Sequence, residues 1–158
     1  MTKRYRMNWA TRLINEPFAW LARRGLGADF RYVLTVRGRI SGKRHTTPVD
    51  AIEHGGRRWL VAPYGVTNWV RNARAAGEVE LRRGGRIERV RVLEASKHEA
   101  VPILRRYLEL VPVTRPYFEA GLDAPDAVLA AEVERHPVFR LDPVDASTRS
   151  LAGRHPAR

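Results

Sequence analysis

The chain contains no cysteine. Disulfides, thiolate metal sites and a cysteine nucleophile are therefore excluded together. Its five histidines, His45, His54, His98, His136 and His155, fall into no metal-ligand spacing, so no metal site is expected. Lysine is scarce, accounting for three of the 29 basic residues, and the arginine and alanine bias is one that a GC-rich genome imposes. No apolar run approaches a membrane span and no apolar signal region follows the basic N-terminus, which makes the cytoplasm the expected location. Internal repeats and domain linkers are also lacking. Acidic residues are missing from two stretches, Asp29 to Asp50 and Glu53 to Glu78.

What is present begins with charge. The formal net charge of +12 argues for an anionic partner, whether nucleic acid, acidic lipid, or a phosphorylated or carboxylated small molecule. With 158 residues, 44% of them hydrophobic and 29% charged, the chain is expected to form one domain with a real core over residues 1–144. Residues 145–158 turn polar after Pro143 and are expected to be a flexible tail.

Residues 6 to 24 read as a helix carrying Trp9, Leu13, Phe18, Trp20 and Leu21, with Pro17 as a kink and Gly25 and Gly27 ending it. The plainer reading is a helix capping a barrel; the functional one is a basic amphipathic segment on a membrane surface or over a ligand mouth. Phe30 to Arg37 alternates as a strand, with Phe30, Tyr32, Leu34 and Val36 on one face. A second strand spans about His45 to His54, where Pro48 calls for an edge or a bulge. Gly55-Gly56 predicts a primed turn into a hairpin partner, Arg58 to Ala62.

Pro63-Tyr64-Gly65 then breaks the strand, and Thr67 or Asn68 caps a short helix ending at Gly77. Trp69, Asn72, Ala73 and Ala76 are expected on its inward face, with Arg71 and Arg74 elsewhere. An inward Asn72 has to find hydrogen-bond partners. Two strands follow around Gly84-Gly85, the second with an expected bulge near Glu88. Ser96-Lys97-His98-Glu99 is a capping box opening a helix through Leu110, bent early by Pro102. A loop and helix region reaches Arg135, and a last strand covers about Pro137 to Leu141. Five or six short antiparallel strands without a long early crossover suggest a small, mainly β barrel with peripheral helices.

The basic turn Val36 to Pro48 is the first site candidate. Backbone N–H groups at Gly38 and Gly42, the Ser41 hydroxyl and the cations Arg37, Arg39, Lys43 and Arg44 suit a phosphate or carboxylate. The spacing matches neither a P-loop nor a dinucleotide-binding pattern, and by spacing alone a solvated hairpin tip is the better reading. A second cluster changes the balance. Ala62-Pro63-Tyr64-Gly65 and the Trp69 to Asn72 helix place another strand-end loop, an indole and more cations after the hairpin. If strands two and three pair, the loops flank one groove suited to a flat heterocycle with an anionic tail.

Gly38-Arg39-x-Ser41-Gly42-x-x-x-x-Thr47-Pro48, the Gly-Gly hairpin, Val61-Ala62 and the Trp69-x-x-Asn72 helix together resemble the deazaflavin-dependent nitroreductase family, over about residues 8 to 143. The resemblance implies a split β-barrel of about six antiparallel strands that binds coenzyme F420, an 8-hydroxy-5-deazaflavin. It implies that Arg39, Ser41, Gly42, Lys43, Arg44 and His45 grip the coenzyme's acidic tail, with Thr47 and Pro48 shaping the exit. Ala62, Pro63, Tyr64 and Gly65 would lie against the ring, supported by Trp69 and Asn72. His45 stands where the family has an arginine, and the loop before Trp69 is shorter than in many members. The implied reaction is hydride transfer from the reduced coenzyme to a nitro compound, quinone or enone, with Tyr64, Tyr107 and Tyr117 as candidates for the substrate side or a proton donor. His98 and His136 are expected in capping or surface roles.

FMN or haem in the same barrel is the alternative ligand. A basic nucleic-acid-binding module is the remaining rival, disfavoured because the aromatics cluster inward rather than along an exposed basic face. The partners expected are thus a small-molecule substrate and no nucleic acid, with a peripheral membrane contact through the N-terminal helix and a homodimer both compatible.

Overall fold

A computed structural model describes residues 29–144. The expected N-terminal helix and the expected C-terminal tail lie outside these residues.

Six antiparallel strands close into a barrel: β1 (Arg31–Arg37), β2 (Arg44–His54), β3 (Arg57–Val61), β4 (Glu78–Arg83), β5 (Arg86–Glu94) and β6 (Val138–Pro143), paired in the order β1-β2-β3-β6-β5-β4 and back to β1. Helix α1 (Asn68–Ala76) joins β3 to β4. Helices α2 (Lys97–Leu110) and α3 (Asp126–Glu132), with a 3-10 turn at Pro112–Tyr117 between them, form a layer outside the barrel. The chain thus has the mainly β split-barrel fold.

Alternation builds two cores from one sheet. Inward residues Leu34, Val36, Leu60, Leu81, Val90 and Phe139 fill the barrel. Outward residues Ile52, Trp59, Val61 and Val138 pack instead against Leu104, Leu108 and Leu129 of the helical layer. Val70 and Ala73 of α1 are fully buried with the inward set, so α1 plugs one mouth of the barrel. Phe30 departs from the face expected of it. It precedes the strand and packs with the helical layer, while Tyr32 joins the barrel interior.

Local signals hold at the hairpins. Gly55 and Gly56 both have positive φ, 60° and 71°, as a primed two-residue turn requires. Ser96 and Glu99 form the reciprocal capping box that opens α2. The bulge expected near Glu88 is absent: β5 pairs with β4 and with β6 in unbroken register. Ile87 simply faces solvent beside the hairpin tip. Glu88, sharing the Val90 face, is satisfied by Arg58, which binds both its carboxylate oxygens, Nη2 to Oε2 at 2.9 Å.

β2 is eleven residues long and β3 only five. Residues Ala51 to His54 pair with β3, while Arg44 to Asp50 pair with β1 alone. Pro48 falls in this singly paired stretch, so its missing N–H costs no ladder bond. This opening beside β2 is the split of the barrel.

Candidate functional site

Strand direction alternates around the barrel, so the ends of β1 and β3 lie at the same mouth as the starts of β2 and β4. The basic turn leaves β1 there. The loop after β3 and helix α1 leave from the same mouth. Arg39 and Asn72, 33 residues apart, join the two segments. Asn72 is 4% exposed, and its Oδ1 accepts from the Arg39 backbone N–H at 3.2 Å and from Nη1 at 2.8 Å. The partner that an inward asparagine needs is thus a residue of the turn.

The turn is a tight loop closed by main chain. Gly38 N–H donates to the Lys43 carbonyl at 2.7 Å and Gly42 N–H to the Gly38 carbonyl at 2.9 Å. Gly42 sits at φ 68° in open space, and the Ser41 hydroxyl accepts from the Lys43 N–H at 3.2 Å. His45 lies directly over Gly38, where a Cβ would meet its Nε2 at 2.8 Å. Arg44 is exposed and pairs with Glu80 at 3.0 Å. Among the described residues no carboxylate pairs with Arg37, Arg39 or Lys43, so the turn presents net positive charge. Thr47 and Pro48 lie half-buried opposite Leu34 and Val33 of β1.

Across the split, the Ala62 carbonyl accepts from the Gly65 N–H at 3.1 Å, which makes Ala62 to Gly65 a tight turn. Gly65 has φ 83°, and a Cβ there would come within 3.3 Å of the Arg135 carbonyl. Ala62 is buried, Pro63 half-buried, and the Tyr64 ring reaches the surface edge-on to Tyr117, with centroids 4.9 Å apart. Trp69 is half-buried against Phe139 at 6.0 Å. Ala76, expected inward, is exposed, because the buried face of α1 is centred on Val70, Asn72 and Ala73. Arg71 and Arg74 point outward as expected, and Arg74 pairs with Glu94.

The structure brings Tyr64 and Tyr117 together but places Tyr107 within the helical-layer core, 1% exposed. Burial raises the Tyr107 hydroxyl well above its usual pKa, and a hydrogen bond to Thr114 only partly opposes this.

One group escaped the sequence reading. His136 is 6% exposed rather than superficial, stacked on Phe118 at 4.0 Å with Nδ1 3.2 Å from the Ala62 carbonyl oxygen. Glu132 beneath it is 1% exposed, and its Oε1 accepts from the Glu119 and Ala120 N–H groups, each at 2.7 Å. The i, i+4 spacing of Glu132 and His136 is visible in the sequence. That this face of α3 turns toward the strand-end loop is not.

These residues suit a deazaflavin with an acidic tail: an acid-free cationic turn, an open glycine, and the buried Thr67 Oγ1 where α1 begins, without a hydrogen-bond partner among the described residues. A cavity of about 830 Å³ lies elsewhere, beside α2 and α3, among His54, His98, Val101, Pro102 and Ala130. It offers an anion little, since its Lys97, Arg105 and Arg106 are tied to Glu134, Asp126 and Glu109. Among the described residues no cluster of His, Asp and Glu suits a metal, and no helix is long and apolar enough to cross a membrane.

Comparison with known proteins supplies the family and the fold. Residues 19–120 match the model of the F420H(2)-dependent quinone reductase family. A solved domain-swapped dimer is 19% identical, covering 84% of this chain and 99% of its own, with a TM-score of 0.54. A protein of unknown function from Agrobacterium tumefaciens is 19% identical over 90% of this chain and 57% of its own, with a TM-score of 0.52. At that identity both establish the fold alone. An F420-H2 dependent reductase is 20% identical over 72% of this chain and 94% of its own, with a TM-score of 0.45. A comparison with curated proteins finds no match.

Proposed function

Because the chain belongs to the F420H(2)-dependent quinone reductase family, and is an oxidoreductase that works with coenzyme F420, we propose that it reduces a quinone in the split beside β2. The observation that carries the location is the Arg39–Asn72 contact. It binds the cationic turn to the helix that follows the strand-end loop, which supports reading them as the two walls of one site.

In this reading Arg39, Lys43 and Arg44 hold the acidic tail by charge, while the Gly42 and Ser41 corner admits it without a side-chain clash. Thr47 and Pro48 line the wall beneath. Asn72 fixes Arg39 in direction, and His45 braces the turn over Gly38 in place of an arginine. The Ala62 to Gly65 backbone presents a flat edge to the ring, with Trp69 closing the mouth behind it. When bound, the reduced deazaflavin supplies the hydride. Tyr64 and Tyr117, edge to face at the mouth, form the acceptor side, with the Tyr64 hydroxyl as the candidate proton source. Tyr107 supports them from the core. A homodimer is compatible with the same reading.

The test is acceptor choice. Purified protein given reduced coenzyme F420 and either a soluble quinone or a nitroaromatic compound is followed by the return of oxidised-coenzyme absorbance. Turnover with a higher kcat/KM for the quinone supports the reading. Turnover confined to the nitroaromatic overturns the acceptor while leaving the coenzyme in place.

A further inference from the structure

We infer that His136 is a positioning residue for this reaction: its Nδ1–H holds the Ala62 carbonyl and thereby fixes the Ala62 to Gly65 backbone against which the coenzyme ring rests. The inference rests on the proposed placement of that ring.

The imidazole is held on every side. Phe118 stacks on it at 4.0 Å and 29°, the His136 backbone N–H donates to the Glu132 carbonyl at 2.8 Å, and Nδ1 lies 3.2 Å from the Ala62 oxygen. A carbonyl can only accept, so this contact is a hydrogen bond in the tautomer that carries its proton on Nδ1. Nε2 then faces Glu132 Oε2 at 3.4 Å. That oxygen has no hydrogen-bond partner among the described residues, although Arg135 Nη2 stands 3.2 Å away. Glu132 cannot swing to improve either contact, because its other oxygen is held by two backbone N–H groups. The charged groups around the ring are Glu132 from α3 and Arg135 from the turn after it. Glu119 lies beyond them, bonded to Arg135 Nη1 at 2.6 Å.

The effect is to tie the strand-end loop to a rigid bracket. Ala62 N–H donates to the Pro137 carbonyl at 2.9 Å, its carbonyl accepts from Gly65 and faces His136, and a Cβ on Gly65 would come within 3.3 Å of the Arg135 carbonyl. Without the Nδ1 donor, the Ala62 carbonyl keeps only the Gly65 N–H, and the peptide after Ala62 is held less tightly. The tail is held by the opposite wall, so the loss should appear in the chemical step more than in binding.

Two variants separate this role from packing. Asn places an N–H where Nδ1 lies, whereas Gln places it near Nε2. His136→Asn is expected to keep kcat within about threefold of the parent. His136→Gln is expected to lose roughly tenfold in kcat with coenzyme KM changed less than about threefold, and to shift the absorbance band of bound oxidised coenzyme. Equal kcat in the two variants, with both folded, overturns the inference. Should the parent protein turn over no coenzyme, the functional reading itself fails. The imidazole ¹⁵N spectrum of the unmodified protein gives an answer that needs neither turnover nor variants. An Nδ1–H tautomer supports the inference, and an Nε2–H tautomer contradicts it.

Discussion

One oxygen, Asn72 Oδ1, receives both the backbone N–H and the guanidinium of Arg39, at 3.2 and 2.8 Å. A glycine-rich turn carrying several cations would otherwise sample many shapes, each with its charges elsewhere. The buried asparagine selects one shape. It also makes the turn's geometry depend on α1, which plugs the barrel through Val70 and Ala73. The cationic wall is therefore anchored to the barrel core rather than to its own hairpin alone.

Asn72→Ala removes both bonds and leaves the Arg39 N–H without its partner. We expect a loss of about 1–2 kcal/mol, or roughly tenfold in affinity for the oxidised coenzyme, read by fluorescence titration. Asn72→Asp keeps the acceptor and adds a charge facing Arg39, so its affinity should stay closer to the parent. Equal losses in both variants would show that the bond does not orient the turn.

Replacing Lys43 and Arg44 together by alanine should weaken coenzyme binding and flatten its dependence on salt, because exposed charges are screened within about 8–10 Å at ordinary ionic strength. Arg44 already shares its charge with Glu80, so Lys43→Ala alone should account for most of the change in slope. Titration at low and high salt is the measurement. An unchanged slope would remove the turn from the tail's binding site.

Acid should destabilise the fold through His136. Burial, first among the causes, holds the imidazole below its ordinary pKa of 6.5, aided by Arg135; the bond to Ala62 and the charge of Glu132 only partly oppose it. The unfolded chain therefore takes up a proton that the native one resists. The stability this contributes is full above pH 6.5 and is lost as the pH falls through the depressed native value. Melting temperature should decline from about pH 7 downward, and less steeply in His136→Asn. Glu88, held low by its hydrogen bonds to Arg58, adds a loss of the same sign only toward pH 4.5 and below.

Much of this was legible in the residue pattern, and the limits have physical causes. Two-residue alternation and the Gly-Gly turns located β1 to β5, because strand period and primed turns are local properties. Asn72 stood out for the same reason: a polar side chain on an apolar helical face implies a partner. What periodicity cannot carry is which distant strands meet. The β3–β6 and β1–β4 pairs that close the barrel join segments far apart in sequence. Closure turns Ile87 outward and gives Glu88 the partner that made a bulge unnecessary. It likewise buries His136, which no local signal distinguishes from an exposed histidine at a helix end. The candidate site was legible as two clusters, and the fold brings them into contact through Arg39 and Asn72.

The most direct test of the central claim is backbone amide chemical-shift mapping as oxidised coenzyme F420 is added to the protein. The account predicts the largest shifts at residues 38–48 and 62–72, the two walls joined by Arg39 and Asn72. Shifts centred instead on the cavity beside α2 and α3, around His54 and His98, would contradict it.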